Sequence, residues 1–411
     1  MGLLGYAVLA ILSVPMVLAA VGNFQAQASV RGPTSGIKLL NDGLCASFVT
    51  NQGYKCDEHE VTTKDGFTLS LQRIPEGRKN VSNGGAKRPP VLIQHGVMVG
   101  GMSWVLNPPD ENLPMSLADS GYDVWIANAR GTIYSQRHKF LRPAEPAFWD
   151  WTFDDMVIND VPAMFDYVYN QTGQKIHYVG HSLGTLVALL SLAERNEVVL
   201  NRMKSAALLC PIAYLSHITT EIANIAAKTF IAEMTAMSGT SEFDPNRISV
   251  VSAIKAICDT HRIKCDDLMT AISGSNCCLN STVVNVFLAH LQPTATKNLI
   301  HLSQVIRFGE VTKFNYEMPD LNIKNYGSLF PPRYDLTKIP SDIPLFLSYG
   351  GKDALSDITD VLMLLDILKS HDLDKFSVQF IKDYAHADYV IGYNAKEVVY
   401  DYVIAFFRKH Q

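Results

Sequence analysis

The pentapeptide Gly180-His181-Ser182-Leu183-Gly184 has the residue types and spacing from which a nucleophile can be built. An apolar, β-like run, residues 175–179 (KIHYV), precedes it, and a helix-like run, residues 183–194 (LGTLVALLSLAE), follows. G-x-S-x-G between a strand and a helix is a nucleophile elbow, a sharp turn that lifts the serine Oγ clear of the sheet. A side chain at Gly180 or Gly184 would collide with neighbouring backbone, which accounts for the glycines. A serine hydroxyl is a poor nucleophile, so Ser182 needs a histidine to take its proton and a carboxylate to orient that histidine. Twelve histidines and forty acidic residues compete for those two places.

The elements that must hold these groups are legible as apolar runs and alternation. Residues 60–63 and 67–74 pair as a hairpin across Lys64-Asp65-Gly66. Residues 90–94 (PVLIQ) and 122–127 (YDVWIA) are buried strands, and 204–210 is another. Residues 153–169 form a helix that turns Met156, Val157, Met164, Tyr167 and Val168 to the core. Residues 344–349 (PLFLSY), 357–369, 376–381 and 395–408 then read as strand, helix, strand, helix. Such alternation makes a mostly parallel sheet with helices on both faces. With the elbow, the class is α/β and the arrangement that of an α/β-hydrolase. Between residues 211 and 333 the rhythm lapses into a Met-, Phe- and Ile-rich stretch of short helices, read as an inserted cap or lid. An independent second domain is the competing reading. The expected division is 29–210 for the first part of the hydrolase core, 211–333 for the cap and 334–411 for the second part of the core.

This arrangement orders its triad as serine, acid, histidine, at the C-terminal ends of strands. Only His371, His386 and His410 lie beyond an acid that follows a late strand. His410 is the penultimate residue, and His371 sits at the entrance to a strand, the wrong end of the sheet. His386, in the loop after 376–381, is the expected general base. Asp353, directly past PLFLSY, is the expected acid, because its rival Asp357 stands where a helix N-cap belongs. The oxyanion donors expected are the backbone N–H of Leu183 and that of Val97, after PVLIQ, with Met98 the neighbouring alternative. His95 and His181 are expected to pack beneath the site.

Net charge is −5, and the basic clusters are no longer than pairs, so a nucleic-acid surface is not expected. Residues 3–20 are apolar and uncharged, and Ala26-Gln27-Ala28 offers a cleavage site, so residues 1–28 read as a signal peptide; an uncleaved anchor is the alternative. Asn80, Asn170 and Asn280 begin glycan-acceptor triplets. Seven cysteines suit an oxidising compartment. Cys45 and Cys56 are expected to pair, and Cys258, Cys265, Cys277 and Cys278 to form two further bridges. A metal site with His261 is the alternative for that cluster; none is expected. Cys210, in an apolar run, reads as a buried free thiol.

His95-Gly96, Asn128-Ala129-Arg130-Gly131, GHSLGT, Asn276-Cys277-Cys278, Pro331-Pro332-x-Tyr334, GGKDALSD and Tyr384-x-His386-x-Asp388 resemble, in this order, the acid lipases, the gastric, lysosomal and plant secreted lipases of the α/β-hydrolase superfamily. The resemblance runs from about Cys45 to the C-terminus. Gly53-Tyr54-Lys55-Cys56-x-Glu58-His59 and Leu69-Ser70-Leu71-Gln72-Arg73-Ile74-Pro75 look most like the plant members. The resemblance implies a secreted serine lipase, with the vacuole or lysosome as the alternative location. It implies hydrolysis of triacylglycerol esters at an oil–water interface through an acyl-enzyme, with transient lipid-surface contact and no cofactor. Animal members carry Gln after the serine, where this chain has Leu183; a backbone donor does not depend on that side chain. The competing functions are an esterase on sterol esters, short acyl esters or peptides, and a non-catalytic binding module, which would lack a triad member.

Overall fold

The structure, a computed structural model, describes residues 43–78, 87–261 and 267–411; the expected leader 1–28, Asn80 and Cys265 lie outside them. Among the described residues the main sheet has nine strands, eight of them in one path: β1 (Asp57–Thr62), β2 (Phe67–Ile74), β3 (Pro90–Gln94), β4 (Asp123–Ala127), β5 (Ile176–His181), β6 (Met203–Leu209), β7 (Leu345–Gly350) and β8 (Phe376–Ile381). Their spatial order is β1-β2-β4-β3-β5-β6-β7-β8, and the two-residue strand Arg137–His138 also pairs with β2. β1, β2 and β4 are antiparallel neighbours, while β4 through β8 run parallel.

Strand side chains alternate between the faces. Leu92, Trp125, Tyr178, Leu208 and Leu347 join one apolar cluster with α2 (Val161–Thr172) and α3 (Leu183–Ala193). Val91, Val124, Val179, Ala207 and Phe346 join the opposite cluster with α1 (Leu113–Asp119) and the last helix. Burying each Leu, Ile or Val of these clusters contributes about 1.5–3 kcal/mol, which is why the central strands tolerate no polar face. All eleven residues of α3 are buried, so the helix behind the elbow is locked in the core.

Between β6 and β7 lie α4 (Glu221–Lys228), α5 (Ile231–Met237), α6 (Ile248–His261), α7 (Leu268–Ser273), α8 (Ser281–Ala289), α9 (Thr296–Phe308) and α10 (Pro319–Tyr326). Ile212, Leu215, Ala295, Val305 and Val311 of this stretch belong to the same cluster as α2 and α3. After β7 come α11 (Ile358–Ile367) and, at the end, α12 (Asp401–Lys409). No helix among the described residues is long and apolar enough to cross a membrane.

Most expected elements are present with shifted ends. β1 starts at Asp57 rather than residue 60, because its exposed edge residues carry no apolar signal and the ladder to β2 alone defines it. The helix expected at 153–169 is interrupted by a wider turn at Met156–Asp160 and continues to Thr172, where Gly173 closes it in a left-handed conformation. Cys45 and Cys56 are bonded, tying the N-terminal described segment to β1. Cys277 and Cys278 are bonded to each other, and Cys258 is also disulfide-bonded, so none of the three offers a thiolate to a metal. Cys210 is a buried free thiol, whose pKa burial raises first and foremost.

Candidate active site

Ser182 joins β5 to α3 with φ 55° and ψ −121°, a left-handed backbone that a non-glycine residue holds only when its surroundings impose it. Two glycines make the turn possible. A Cβ on Gly180 would stand 2.7 Å from the Gly184 carbonyl, and one on Gly184 would stand 2.6 Å from the Gln94 carbonyl oxygen. The Ser182 N–H donates to Leu209 O at 3.1 Å, anchoring the turn to β6. Serine is a favoured helix N-cap, yet Ser182 makes no side-chain cap bond, which leaves its Oγ to other work.

Asp353 follows β7, and His386 follows β8. The structure joins them: His386 Nδ1 lies 2.9 Å from Asp353 Oδ2 and 3.1 Å from Oδ1. Oδ1 also accepts the N–H groups of Leu355 and Ser356, each at 2.8 Å. Burial pushes the Asp353 carboxyl up, but His386 and those donors outweigh it and hold the carboxyl below its ordinary value. It is therefore a carboxylate at neutral pH. Asp357 instead accepts the Thr359 N–H at 2.7 Å as the N-cap of α11. His371 bonds the Ile343 carbonyl at 2.7 Å near the start of β7, away from these loops.

His386 is tied to the elbow through His181, the residue before the serine. The two rings are 4.6 Å apart, and His181 Nε2 donates to His386 O at 3.0 Å. His181 is fully buried, and desolvation lowers its pKa to about 3, so it stays neutral. His95 accepts the Ala129 N–H on Nε2 at 3.0 Å and donates from Nδ1 to Gly96 O at 2.7 Å. Burial lowers its pKa to about 4. Both histidines are structural supports, as expected.

Val97 and Leu183 line one narrow cleft with Met98, Arg130, Trp151 and Asn298, a space of about 10 Å³. The Leu183 N–H stands in the first turn of α3, where a helix has no partner for it. Met98 carries a φ of 56°, and its carbonyl accepts the Gln292 N–H at 2.7 Å. Arg130, only 1 % exposed, sits between Asp160 at 2.5 Å and Asp65 at 2.8 Å, bracing the wall of the cleft.

Sequence reasoning missed one layer of the site. Ser273 O accepts the His386 N–H at 3.1 Å and the Ala354 N–H at 3.3 Å, and Gly274 pairs with Asp353. Asn276 Oδ1 accepts the Ala387 N–H at 3.2 Å. One segment thus touches both the acid loop and the histidine loop. The Asn-Cys-Cys run was the only signal in that segment, and its spacing says nothing of where it docks. Of the glycan candidates, Asn170 and Asn280 are exposed; Asn280 also caps α8 by accepting the Thr282 N–H at 2.9 Å.

A strand–turn–helix serine at the C-terminal edge of a sheet of this order, with an acid–histidine pair at the ends of the next-to-last and last strands, defines an α/β hydrolase. The sequence matches the family described as alpha/beta hydrolase fold over residues 89–389 and the partial alpha/beta-hydrolase lipase region over 45–108. It is 55% identical over 369 residues to Triacylglycerol lipase 2 of Arabidopsis thaliana, covering 89% of this chain and 88% of that one. It is 32% identical over 366 residues to Gastric triacylglycerol lipase of Rattus norvegicus, covering 88% and 90%. A solved structure of a soluble variant of monoglyceride lipase from Saccharomyces cerevisiae shares the fold with a TM-score of 0.53 at 14% identity, covering 85% of this chain and 94% of that one. The chain belongs to the lipase family of α/β hydrolases, and the plant relative is nearer than the gastric one, as residues 53–75 suggest.

Proposed function

We propose that this protein is a secreted lipase that hydrolyses the ester bonds of triacylglycerols through Ser182, His386 and Asp353. The observation that carries the reading is the left-handed Ser182 elbow beside a His386 ring held by the buried Asp353 carboxylate. His386 Nε2 takes the Ser182 proton as Oγ attacks the ester carbonyl carbon, and Asp353 fixes the proton on Nδ1. The N–H groups of Val97 and Leu183 receive the oxyanion, a contribution of about 2.7–4 kcal/mol for each such donor. Collapse expels the alcohol with the proton from His386, leaving an acyl-Ser182. Water, deprotonated by His386, repeats the sequence and releases the fatty acid.

The names of the relatives support triacylglycerol as the substrate. The cleft, at about 10 Å³, has room for about one water and none for an acyl chain. In this reading residues 211–333 are a cap that must move before a long chain enters. Met237, Phe308 and Phe330, exposed on that stretch, supply apolar contact with a lipid surface. The leader at 1–28, the disulfides and the exposed Asn170 and Asn280 triplets support passage through the secretory pathway.

The test is release of fatty acid from emulsified long-chain triacylglycerol and from a soluble short-chain ester, with Ser182→Ala alongside. Ser182-dependent release from the emulsion is expected. Hydrolysis of the soluble ester alone would leave an esterase and refute the lipase reading.

A further inference from the structure

Two residues beyond His386 lies a carboxylate that the triad does not use. Asp388 is fully buried, and among the described residues its oxygens are held by backbone donors. Oδ2 accepts the Ala385 N–H at 2.8 Å and the Cys277 N–H at 3.2 Å, while Oδ1 accepts the Cys278 N–H at 3.1 Å. Ala385 immediately precedes His386. Cys277 and Cys278 come from a segment 111 and 110 residues earlier in the chain, and their mutual disulfide joins the two donor residues.

The residue type is informative. A buried carboxylate is costly, and a neutral amide would be cheaper unless both oxygens must accept. Three N–H groups converge here on two oxygens, and only an ionised carboxylate presents two acceptors with no donor of its own. The neighbouring contacts point the same way: Ser273 O takes the His386 N–H, Asn276 Oδ1 takes the Ala387 N–H, and Cys278 O takes the Tyr393 N–H. The backbone on either side of His386 is thus stitched to residues 273–278, and Asp388 is the side chain at the centre of the seam.

We propose that Asp388 is a positioning residue for the general base: it clamps the His386 loop onto the Cys277–Cys278 pair and so sets where the imidazole stands relative to Ser182. This rests on the reading of His386 as the base. A displacement of roughly 1 Å at such a group costs about 100-fold in rate, so the clamp acts on turnover rather than on substrate binding.

The experiment uses the full chain with Asp388→Ala, Asp388→Asn and His386→Ala. Active sites are titrated to completion with a fluorophosphonate, and p-nitrophenyl butyrate hydrolysis gives kcat per titrated site and KM. Asp388→Ala removes every acceptor and is expected to lower kcat per site about 100-fold while KM stays within about twofold. Asp388→Asn keeps one acceptor oxygen and sets an NH₂ against the remaining donor, so it falls between Ala and wild type. Wild-type kcat per site, with loss confined to melting temperature or to the titratable fraction, would overturn the proposal and leave Asp388 a structural residue. If Asp388→Ala does not fold, Asp388→Asn decides by the same readings. Turnover retained in His386→Ala would refute the base assignment itself, a separate failure from that of the clamp.

Discussion

Replacing Asp353 by Asn tests the electrostatic centre of the site without changing its shape. Oδ1 accepts two backbone N–H groups, from Leu355 and Ser356, at 2.8 Å each. An amide NH₂ placed there would oppose two donors, so the Asn carbonyl must occupy the Oδ1 position. The NH₂ then takes the place of Oδ2, 2.9 Å from His386 Nδ1, and offers a donor where the carboxylate offered an acceptor. The carbonyl at Oδ1, 3.1 Å from Nδ1, already serves Leu355 and Ser356, so the nearer NH₂ favours Nδ1 as an acceptor and places the proton on Nε2, the atom proposed to take the Ser182 proton. The wrong tautomer at a serine-hydrolase triad lowers kcat by about 10⁴, or about 5 kcal/mol of transition-state stabilisation. The assay is hydrolysis of a soluble short-chain ester by Asp353→Asn and by Asp357→Ala, with thermal melting to show that both are folded. Asp357→Ala removes only an N-cap, so it is expected to cost about 1 kcal/mol of stability and little activity. Asp353→Asn retaining more than about a tenth of wild-type activity, or Asp357→Ala falling as far, would refute the assignment, since the tautomer argument demands a far larger loss.

Gly184→Ala pushes a Cβ to within 2.6 Å of the Gln94 carbonyl, and overpacking of this kind costs at least about 1–3 kcal/mol. Urea unfolding should show a lowered midpoint; an unchanged one would mean the elbow has slack that this geometry denies. Replacing Cys45 and Cys56 together by Ser should cost about 2–4 kcal/mol, read in the same way, because it frees the segment that the bridge ties to β1. The third prediction concerns pH. Burial holds His95 and His301 at about 4 and His177 and His181 at about 3, below the ordinary 6.5. Groups with a depressed folded pKa contribute stability that is fully present above 6.5 and is lost as pH falls towards 4 and 3. Asp160, pushed up to about 6 by burial, works in the opposite direction, and burial also raises Asp123, Asp155, Asp388, Glu111 and Glu242 by smaller amounts, less than the four imidazoles are lowered. Tm should therefore fall between pH 6.5 and 4; a flat or rising Tm would contradict the neutral-histidine assignment.

The parts of this protein visible in its sequence are those where one physical demand dominates. β3 begins and ends where its run predicts, and β7 is shifted by one residue, because central strands must be apolar on both faces; β8, the half-exposed edge strand, also matches its predicted bounds. Ser182, Asp353 and His386 stand out because strand ends and chain order leave few candidates. What is hidden depends on contact rather than composition. The exposed start of β1 is defined by its ladder to β2, and the wide turn at Met156–Asp160 has no glycine or proline within it to announce it. The left-handed Met98 is likewise unmarked, since its strain is offset by Gln292 from a distant part of the chain. The roles of Ser273, Asn276 and Asp388 emerge only once residues 273–278 lie against 384–388.

That last juxtaposition bears on when the enzyme becomes dangerous to the cell that makes it. Synthesis delivers the serine turn first, then the Asn-Cys-Cys segment, then the acid loop, and the histidine loop only near the end. Until the final strand docks and residues 273–278 close on it, the chain carries the proposed nucleophile without the proposed base and with its acid unfixed. Contacts of such long sequence separation form late in folding. If Ser182, Asp353 and His386 act together as proposed, a half-made molecule is inert towards ester bonds, a latency that follows from the order of these residues along the chain.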